Sequence, residues 1–281
     1  MTAHILPISR FSADPEKCIA CGLCVRDCPA GIIVITEQTA SIPPENDGDC
    51  IGCQHCLAAC PTAAVSVMGK KPGDSLSLAD FEPDAENLET LMRGRRSVRQ
   101  FMPEPVPVDV LKRLLEITSY APTGVNARRR RFTVIRERAV MDAFRERICR
   151  KLADSAASIP EEASWMVEMA DDWLSGGDDG IFRSAPHLLM ASTAADSPCS
   201  DVDAVIALSY FDLIAQANGV GTVWAGMVHN ILRFFPECRE WLGIPADHVI
   251  GYAILFGIPT VDYARTAQYG PEEVVMLESL K

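Results

Sequence analysis

Two cysteine-rich runs constrain this chain of 281 residues more than any other feature. The first extends from Cys18 to Pro29 and has the sequence C-I-A-C-G-L-C-V-R-D-C-P. The second extends from Cys50 to Pro61 and has the sequence C-I-G-C-Q-H-C-L-A-A-C-P. In the shared spacing C-x2-C-x2-C-x3-C-P, three thiolates bind one iron-sulfur cube while the fourth cysteine binds another. We therefore predict two [4Fe-4S] clusters whose ligands are crossed between the runs.

Each predicted cluster takes three cysteines from one run and the last cysteine from the other. The ligands of the first cluster would be Cys18, Cys21, Cys24 and Cys60. The ligands of the second cluster would be Cys50, Cys53, Cys56 and Cys28. Two all-cysteine zinc sites are the alternative, but structural zinc usually pairs two C-x2-4-C hooks across a longer loop. The spacing therefore favours iron and sulfide over zinc.

The N-terminal sequence, the net charge and the hydropathy predict where the protein is located and which partners are disfavoured. The first ten residues contain Pro7 and show no basic-then-apolar secretory leader, so we expect reduced thiols and a cytoplasmic location. A formal net charge of -12 and a pI near 4.9 disfavour nucleic acid and anionic membrane as partners. The longest apolar run, residues 249–258, is shorter than the roughly 20 residues that cross a bilayer.

The two cysteine runs belong to an internal duplication. C-P-A-G-I-I-V-I after the first run returns one period later as C-P-T-A-A-V-S-V, and residues 32–35 and 65–67 are each predicted to form a short strand. Residues 1–71 resemble a bacterial two-cluster ferredoxin, which implies that fold and an electron-transfer role. A stretch rich in Gly, Pro and acidic residues, 72–86, is predicted to be a linker. A second domain would then occupy residues 87–281.

The second domain is predicted to alternate helices with a few separated strands, which indicates an α+β or three-layer architecture. The first helix would begin near Asn87 or Thr90 and end in a cluster of arginines. Further helices are predicted at 109–120, 139–157, 163–174, 201–218 and 229–241, the last of them interrupted at Pro236. Strands are predicted at 132–135, 186–192 and 248–258, with a short strand or irregular segment at 221–228. From Pro259 onward an extended tail is expected.

Four segments of this domain carry residues suited to a nucleotide-like cofactor. The first segment brings cations and a hydroxyl close together, and the second is a tight turn that offers backbone groups. The third is a Gly-flanked edge that allows close approach to a planar ring, and the fourth is the tail, which adds polar side chains. Taken alone, each has an ordinary structural explanation. The residues are Arg95, Arg96, Ser97 and Arg99; Pro122, Thr123, Gly124 and Asn126; Ala225 and Gly226; and Tyr263 and Arg265.

Together and in this order the four segments resemble the nitroreductase family of FMN-dependent oxidoreductases. The resemblance implies a homodimeric three-layer α/β/α domain in which the arginine segment and the tail bind the FMN phosphate. It also implies that the turn at 122–126 comes from the other subunit and that Ala225 and Gly226 face flavin N5. No side chain stands out as an obligatory acid, so no catalytic residue is predicted. This is expected where the cofactor supplies the chemistry.

The chain departs from the family pattern at two places. Arg128, Arg129, Arg130 and Arg131 replace the usual Q-P-W, and Ala225 replaces a common Glu. The arginine run is either a solvated strand entrance or a site for an anionic substrate or an acidic redox partner. These departures, with the lack of a separate G-x-G-x-x-G dinucleotide motif, leave the use of NAD(P)H open.

The remaining histidines and cysteines of the second domain show no ligand spacing. His187, His229 and His248 are predicted to be structural. The isolated cysteines are predicted to be apolar fillers, with a reactive low-pKa thiol as the alternative: Cys149, Cys199 and Cys238.

Joined, the two domains predict an iron-sulfur flavoprotein oxidoreductase. Electrons would pass from a low-potential donor such as a ferredoxin through the two clusters to FMN. A small electrophile of the nitroaromatic, quinone or enone type would then be reduced. One alternative is a redox relay or sensor that hands electrons to a partner protein, and another is a pseudoenzyme that keeps the fold for dimerisation alone.

Overall fold

The computed structural model describes residues 10–79 and 81–279. Most of the N-terminal stretch used to argue against a leader, residues 1–9, therefore lies outside the described residues. The chain divides into two compact units. Unit 1 is Met1–Pro83 with Thr123–Arg128, and unit 2 is Asp84–Pro122 with Arg129–Lys281. Within the described ranges, no helix combines the length and the apolar character needed to span a membrane.

Unit 1 is built from short elements around the cysteines. Its helices and strands are β1 (Phe11–Ala13), α1 (Leu23–Arg26), β2 (Val34–Thr36), β3 (Thr39–Ser41), α2 (His55–Ala58) and β4 (Val65–Val67). β1 pairs with β4 and β2 pairs with β3, both antiparallel. β4 matches its predicted residues, whereas β2 begins two residues later than predicted. Ile32 and Ile33 are buried in the core of unit 1 ahead of the paired residues, so the apolar run marks burial rather than pairing.

The backbone of unit 1 retains the duplication seen in the sequence. Residues with left-handed φ recur one 32-residue period apart, at Ala20 and Gly52, at Gly22 and Gln54, and at Gly31 and Ala63. Each pair contains one glycine and one other residue, although only glycine adopts this conformation without a cost of roughly 1 kcal/mol. The duplicated turn geometry is therefore preserved even where the residue type is not.

Unit 2 is a four-stranded antiparallel sheet with helices on both faces. Its elements are α3 (Ala85–Gly94), α4 (Val108–Thr118), β5 (Arg130–Ile135), α5 (Arg138–Asp154), α6 (Trp165–Leu174), β6 (His187–Ala194), α7 (Asp203–Ala217), β7 (Gly221–Trp224), α8 (Gly226–Phe234) and β8 (His248–Gly257). The strand order is β5-β6-β8-β7. The predicted start of the first helix was wrong, whereas the predicted interruption of the last helix at Pro236 was confirmed. α3 begins earlier because Asp84 caps it by accepting from the Asn87 N–H, and α8 stops before Pro236, after which a 3-10 helix follows.

The sheet separates two apolar cores, which confirms the three-layer prediction. Every residue of β6 is buried, and alternate side chains point to opposite faces. Leu188 and Met190 join the core made with α5, α6 and α8. Leu189 and Ala191 join the core made with α4 and α7. A strand covered on both faces is continuously apolar, which is the pattern seen in the sequence.

A buried ion pair ties α5 to the segment that precedes β6. Arg145 Nε lies 2.7 Å from Asp179 Oδ2, and each side chain is only 3% exposed. The Asp179 carboxylate also accepts from the backbone N–H groups of Phe182 at 2.7 Å and Ser184 at 2.9 Å. Arg145 Nη2 donates to the Ala185 carbonyl at 3.0 Å. The pair therefore satisfies backbone groups that apolar side chains could not satisfy.

Candidate functional site

The eight cysteines of unit 1 line two separate cavities, four to each. The first cavity, of about 310 Å³, is lined by Cys18, Cys21, Cys24 and Cys60. The second cavity, of about 340 Å³, is lined by Cys28, Cys50, Cys53 and Cys56. Apolar side chains complete both walls, with Ile35 and Val65 in the first and Ile33 and Val67 in the second. The structure thus groups the cysteines in the same two sets as the crossed prediction.

The distribution of the thiols suits a polynuclear cluster. Each cavity is lined by four cysteines, three from one run and the last cysteine of the other. In a four-iron cluster each thiolate binds a different iron, so the sulfur atoms surround a cage and do not meet at one point. The two four-cysteine cavities therefore fit the predicted cofactor.

Left-handed turns and two short helices direct the thiols inward. Gly22 and Gln54 precede α1 and α2, which carry the buried Cys24 and Cys56. Burial raises the pKa of Cys56 to about 12 and also raises that of Cys24. Burial opposes ionisation of Cys60 too, but the Ala64 N–H, which donates to its sulfur at 3.2 Å, helps to lower its pKa overall. Ligation by these thiols must therefore displace protons, since thiolates are the metal ligands.

In unit 2 the arginine segment runs beside β7. The Val98 N–H donates to the Thr222 carbonyl at 2.8 Å, and Ser97 forms a bridge with Thr222. Gly221 permits this approach, because a Cβ there would lie 2.7 Å from the Val98 side chain. The structure therefore brings the segment containing Arg95 to Arg99 to the strand that leads into Ala225 and Gly226.

A buried carboxylate that the sequence analysis did not select joins these two segments. Asp212 on α7 is 5% exposed, and its Oδ2 lies 3.4 Å from Arg95 Nη1. The same oxygen accepts from Trp224 Nε1 at 3.1 Å, and Oδ1 accepts from the Thr222 hydroxyl. An acidic residue inside the otherwise apolar stretch L-S-Y-F-D-L-I-A was the available signal. A buried carboxylate requires partners, and the cation that pairs with Asp212 is Arg95.

The turn from β7 into α8 has little room for side chains. Ala225 is buried, and its N–H donates to the Ala253 carbonyl at 2.9 Å. A Cβ on Gly226 would lie 2.8 Å from the Tyr252 hydroxyl. Gly226 is also the first residue of α8, so the positive end of the helix dipole is at this turn. The turn therefore exposes backbone groups next to a favourable site for negative charge.

The other predicted cofactor contacts are distributed as follows. Arg96 donates to the Tyr269 hydroxyl at 2.8 Å, so the tail does return to the arginine segment, through a residue that was not predicted. Arg99 donates to the Ser97 carbonyl at 3.3 Å. Tyr263 lines a cavity of about 860 Å³ beside the end of α3, while Arg265 is exposed.

The predicted turn at 122–126 is divided between the units. Pro122 belongs to unit 2, whereas Thr123, Gly124 and Asn126 belong to unit 1. There the Asn126 side chain donates to the Ile51 carbonyl at 3.0 Å, next to the second cavity. The contact predicted for this turn from the family resemblance was to flavin, so its hydrogen bond to a cysteine loop is an additional finding.

Comparison with known proteins identifies the domain types. Residues 92–258, more than half of the chain, match the nitroreductase family. The chain belongs to the nitroreductase family. Residues 17–65 match a 4Fe-4S dicluster domain. These matches confirm the predicted fusion and two [4Fe-4S] clusters, and the nitroreductase match confirms an oxidoreductase.

Two individual relatives are similar to this chain over most of their own length. The chain is 27% identical over 204 residues to "NADH dehydrogenase" of Thermus thermophilus, spanning 67% of this chain and 94% of that protein. It is 26% identical over 141 residues to "Iodotyrosine deiodinase" of Thermotoga neapolitana, spanning 48% and 72%.

Two solved nitroreductases with bound FMN share the fold. The structure from Bacteroides fragilis has a TM-score of 0.56 and 22% identity, covering 67% of this chain and 98% of that one. The structure from Desulfitobacterium hafniense has a TM-score of 0.53 and 18% identity, covering 68% and 98%. At these identities the likeness establishes the nitroreductase fold.

The arginine run, where this nitroreductase-family chain departs from the pattern, is partly structural. Arg130 donates to the carbonyls of Ala121 at 2.7 Å and Ser119 at 3.3 Å, which closes the end of α4. Arg129 forms an exposed ion pair with Asp196 at 2.7 Å. Arg129 and Arg130 therefore have protein partners, while the choice between a strand entrance and an anion site stays a prediction.

Most of the isolated polar residues of the nitroreductase domain are structural, as predicted. Burial raises the pKa of Cys149 to about 12 and that of Cys238 to about 11, so both thiols stay protonated at neutral pH. His187 accepts from the Val106 N–H at 2.8 Å, and burial lowers its pKa. His248 Nδ1 lies 3.0 Å from the Ser192 hydroxyl.

Proposed function

We propose that this nitroreductase-family protein passes electrons from a low-potential donor, such as a ferredoxin, through two [4Fe-4S] clusters to FMN. A small electrophilic acceptor of the nitroaromatic, quinone or enone type is then reduced. The observation that carries this proposal is the presence of two four-cysteine cavities in the same chain as a nitroreductase domain. Clusters transfer single electrons, whereas flavin chemistry can consume electrons in pairs.

The cluster ligands are proposed to be the two sets of cysteines that line the cavities. The support is their grouping by cavity, the inward direction of Cys24 and Cys56, and the N–H group that donates to Cys60. Hydrogen bonds to cluster sulfurs and burial from solvent both set reduction potentials. The apolar walls of each cavity therefore contribute to the potential as well as to stability.

The residues of unit 2 fit an FMN cofactor. Arg95, Arg96 and Arg99 place three cations within five residues, and Arg95 is oriented by its ion pair with the buried Asp212. Gly226 presents backbone at a helix N-terminus, where negative charge is stabilised. FMN would supply hydride chemistry at N5 when bound. The role of the protein here is to bind the phosphate, hold the ring and stabilise its reduced, anionic form.

The assembly is proposed to be a homodimer in a reducing cytoplasm. The proposal of a dimer is supported by the family resemblance, in which the second subunit contributes to the flavin site. The proposal of a reducing compartment is supported by the eight ligand cysteines, which form no disulfides. Sedimentation of the FMN-loaded protein tests the first point, with a mass of two 30.6 kDa chains expected.

Anaerobic titration with dithionite tests the electron path directly. Cluster bleaching and flavin reduction are followed in the same cuvette, and both are expected in every chain.

Turnover is then measured with reduced ferredoxin or NADH as donor and with nitroaromatics, quinones, enones and 3-iodotyrosine as acceptors. NADH and 3-iodotyrosine are included because of the names of the two relatives. Rapid flavin reduction, with reoxidation only by a partner protein, would favour the relay. A failure to retain FMN after reconstitution would favour the pseudoenzyme.

Arg95→Ala is expected to weaken FMN retention about 10- to 100-fold, because a hydrogen bond to a charged group contributes roughly 1.5–3 kcal/mol. Ser97→Ala is expected to act in the same direction by a smaller factor. Asp212→Asn should also weaken binding, about tenfold, because Arg95 loses the carboxylate that orients it. The FMN dissociation constant is measured by fluorescence on the apoprotein.

Arg93→Ala provides the matched control for these variants. Arg93 is in the last turn of α3, two residues before Arg95, and is exposed. It pairs with Glu89 at 3.6 Å, so its loss should leave FMN affinity unchanged. Equal affinity in wild type, Arg95→Ala and Ser97→Ala would contradict the proposed phosphate site. Additive effects of Arg95→Ala and Asp212→Asn would contradict the positioning role of Asp212.

A further inference from the structure

The segment Thr123–Arg128, which belongs to unit 1, has an unusual backbone. Val125, Asn126 and Arg128 have φ of 45°, 55° and 51°, a left-handed region in which residues other than glycine are rare. The Asn126 N–H donates to the Thr123 carbonyl at 3.0 Å, and the Arg128 N–H donates to the Thr123 hydroxyl at 3.1 Å. Such a conformation persists where surrounding contacts over-determine it, and it is concentrated at functional sites.

One side chain of this segment contacts the cysteine loop of the second cavity. Asn126 Nδ2 donates to the carbonyl oxygen of Ile51 at 3.0 Å. Ile51 is one of the two residues between Cys50 and Cys53, and all three line the second cavity. The hydrogen bond therefore fixes the backbone turn that carries two of the proposed ligands.

This contact breaks the symmetry of the duplication. Ile19 occupies the position equivalent to Ile51, one 32-residue period earlier. Its side chain is 63% exposed, compared with 38% for Ile51. Since Thr123–Arg128 lies outside the repeat and occurs once in the chain, it supports one cysteine loop and leaves the equivalent loop without the same contact.

We infer that Asn126 is a positioning residue for the cluster in the second cavity and makes the two clusters inequivalent. Its N–H group holds the Cys50–Cys53 turn and adds a positive dipole end near that cluster. Reduction adds negative charge to a cluster, so nearby donors and limited solvent access change its potential. This inference rests on the proposed cluster ligands and extends them to residues outside the cysteine runs.

Asn126→Asp tests the inference because the expected direction of the change in midpoint potential is known. The change removes the donor and adds a negative charge next to the Ile51 carbonyl, so the reduced form of the nearby cluster becomes less stable. We expect the midpoint potential of the cluster in the second cavity to fall and its low-temperature EPR signal to change. The cluster in the first cavity should keep its potential and its EPR signal. Redox titration of the full chain, followed by EPR and visible absorbance, measures both potentials.

Two further variants separate positioning from charge and from misfolding. Asn126→Gly removes the side chain but suits a positive φ, so the chain should fold and the same potential should fall by less. Gln38→Glu adds a charge at an exposed position of unit 1 and should leave the difference between the two potentials unchanged. In a Cys53→Ala background, where the second cluster is lost, adding Asn126→Asp should leave the remaining potential unchanged.

The outcomes are distinguishable. Equal shifts in both clusters, or shifts no larger than those of Gln38→Glu, would overturn the inference while leaving the ligands intact. A wild-type protein without iron for two clusters would overturn the proposed ligands and the inference together.

Discussion

Cys28→Ala is expected to abolish the cluster of the second cavity and leave the cluster of the first cavity intact. Cys28 is four to ten residues from Cys18, Cys21 and Cys24 in sequence, yet it lines the cavity of Cys50, Cys53 and Cys56. Iron per chain should therefore fall by half. The reduced protein should show one isolated EPR signal where the wild type shows two interacting ones. Electron delivery from ferredoxin to FMN should become undetectable if both clusters are needed.

Double variants decide between crossed and uncrossed ligands. With crossed ligands, adding Cys53→Ala to Cys28→Ala removes no further iron, because both residues serve the same cluster. Adding Cys21→Ala to Cys28→Ala removes the remaining half, because Cys21 serves the first cavity. The opposite pair of results would show that each run holds its own cluster. Cys149→Ala, at a buried thiol of unit 2, is the control and should keep all the iron.

Asp179→Ala is expected to destabilise unit 2 by about 3–5 kcal/mol, the usual cost of leaving one member of a buried ion pair without its partner. Arg145 would remain 3% exposed without its buried partner, and its one remaining ion pair among the described residues would be with the more exposed Asp142. The N–H groups of Phe182 and Ser184 would lose their acceptor. The free energy of unfolding is measured by denaturant titration with circular dichroism at constant FMN saturation, because bound ligand adds to apparent stability.

Two comparisons make this prediction specific. Glu146→Ala breaks an exposed pair with Arg150 on the same helix and should cost less than about 1 kcal/mol. The double variant Arg145→Met with Asp179→Leu should recover part of the loss, since neither buried charge remains. If Asp179→Ala costs no more than Glu146→Ala, the pair does not stabilise the fold.

The features predicted well were those that depend on residues close together in sequence. Ligand turns depend on cysteines three or four residues apart, so the spacing from Cys18 to Cys28 predicted the cluster chemistry. Strands covered on both faces require an unbroken apolar run, so β6 and β8 were found with bounds correct to within about two residues. Helix ends were less accurate, because caps such as Asp84 stand outside the apolar pattern.

Partnerships between distant residues were decided by the tertiary structure. The sequence indicated a row of four arginines, but only the fold shows that Arg130 closes α4 and that Arg129 pairs with Asp196. The sequence placed Asp212 in an apolar helix, and only the fold brings Arg95 to it.

The sequence by itself therefore determined the cofactor chemistry and the fold family, because these depend on residue type and short spacing. The tertiary structure alone decided which charges are neutralised and which cysteine loop receives the Asn126 hydrogen bond. The physical reason is that the effect of a charge or a donor depends on the group that it contacts, and the partners of Arg95, Arg129 and Asn126 are far away in sequence.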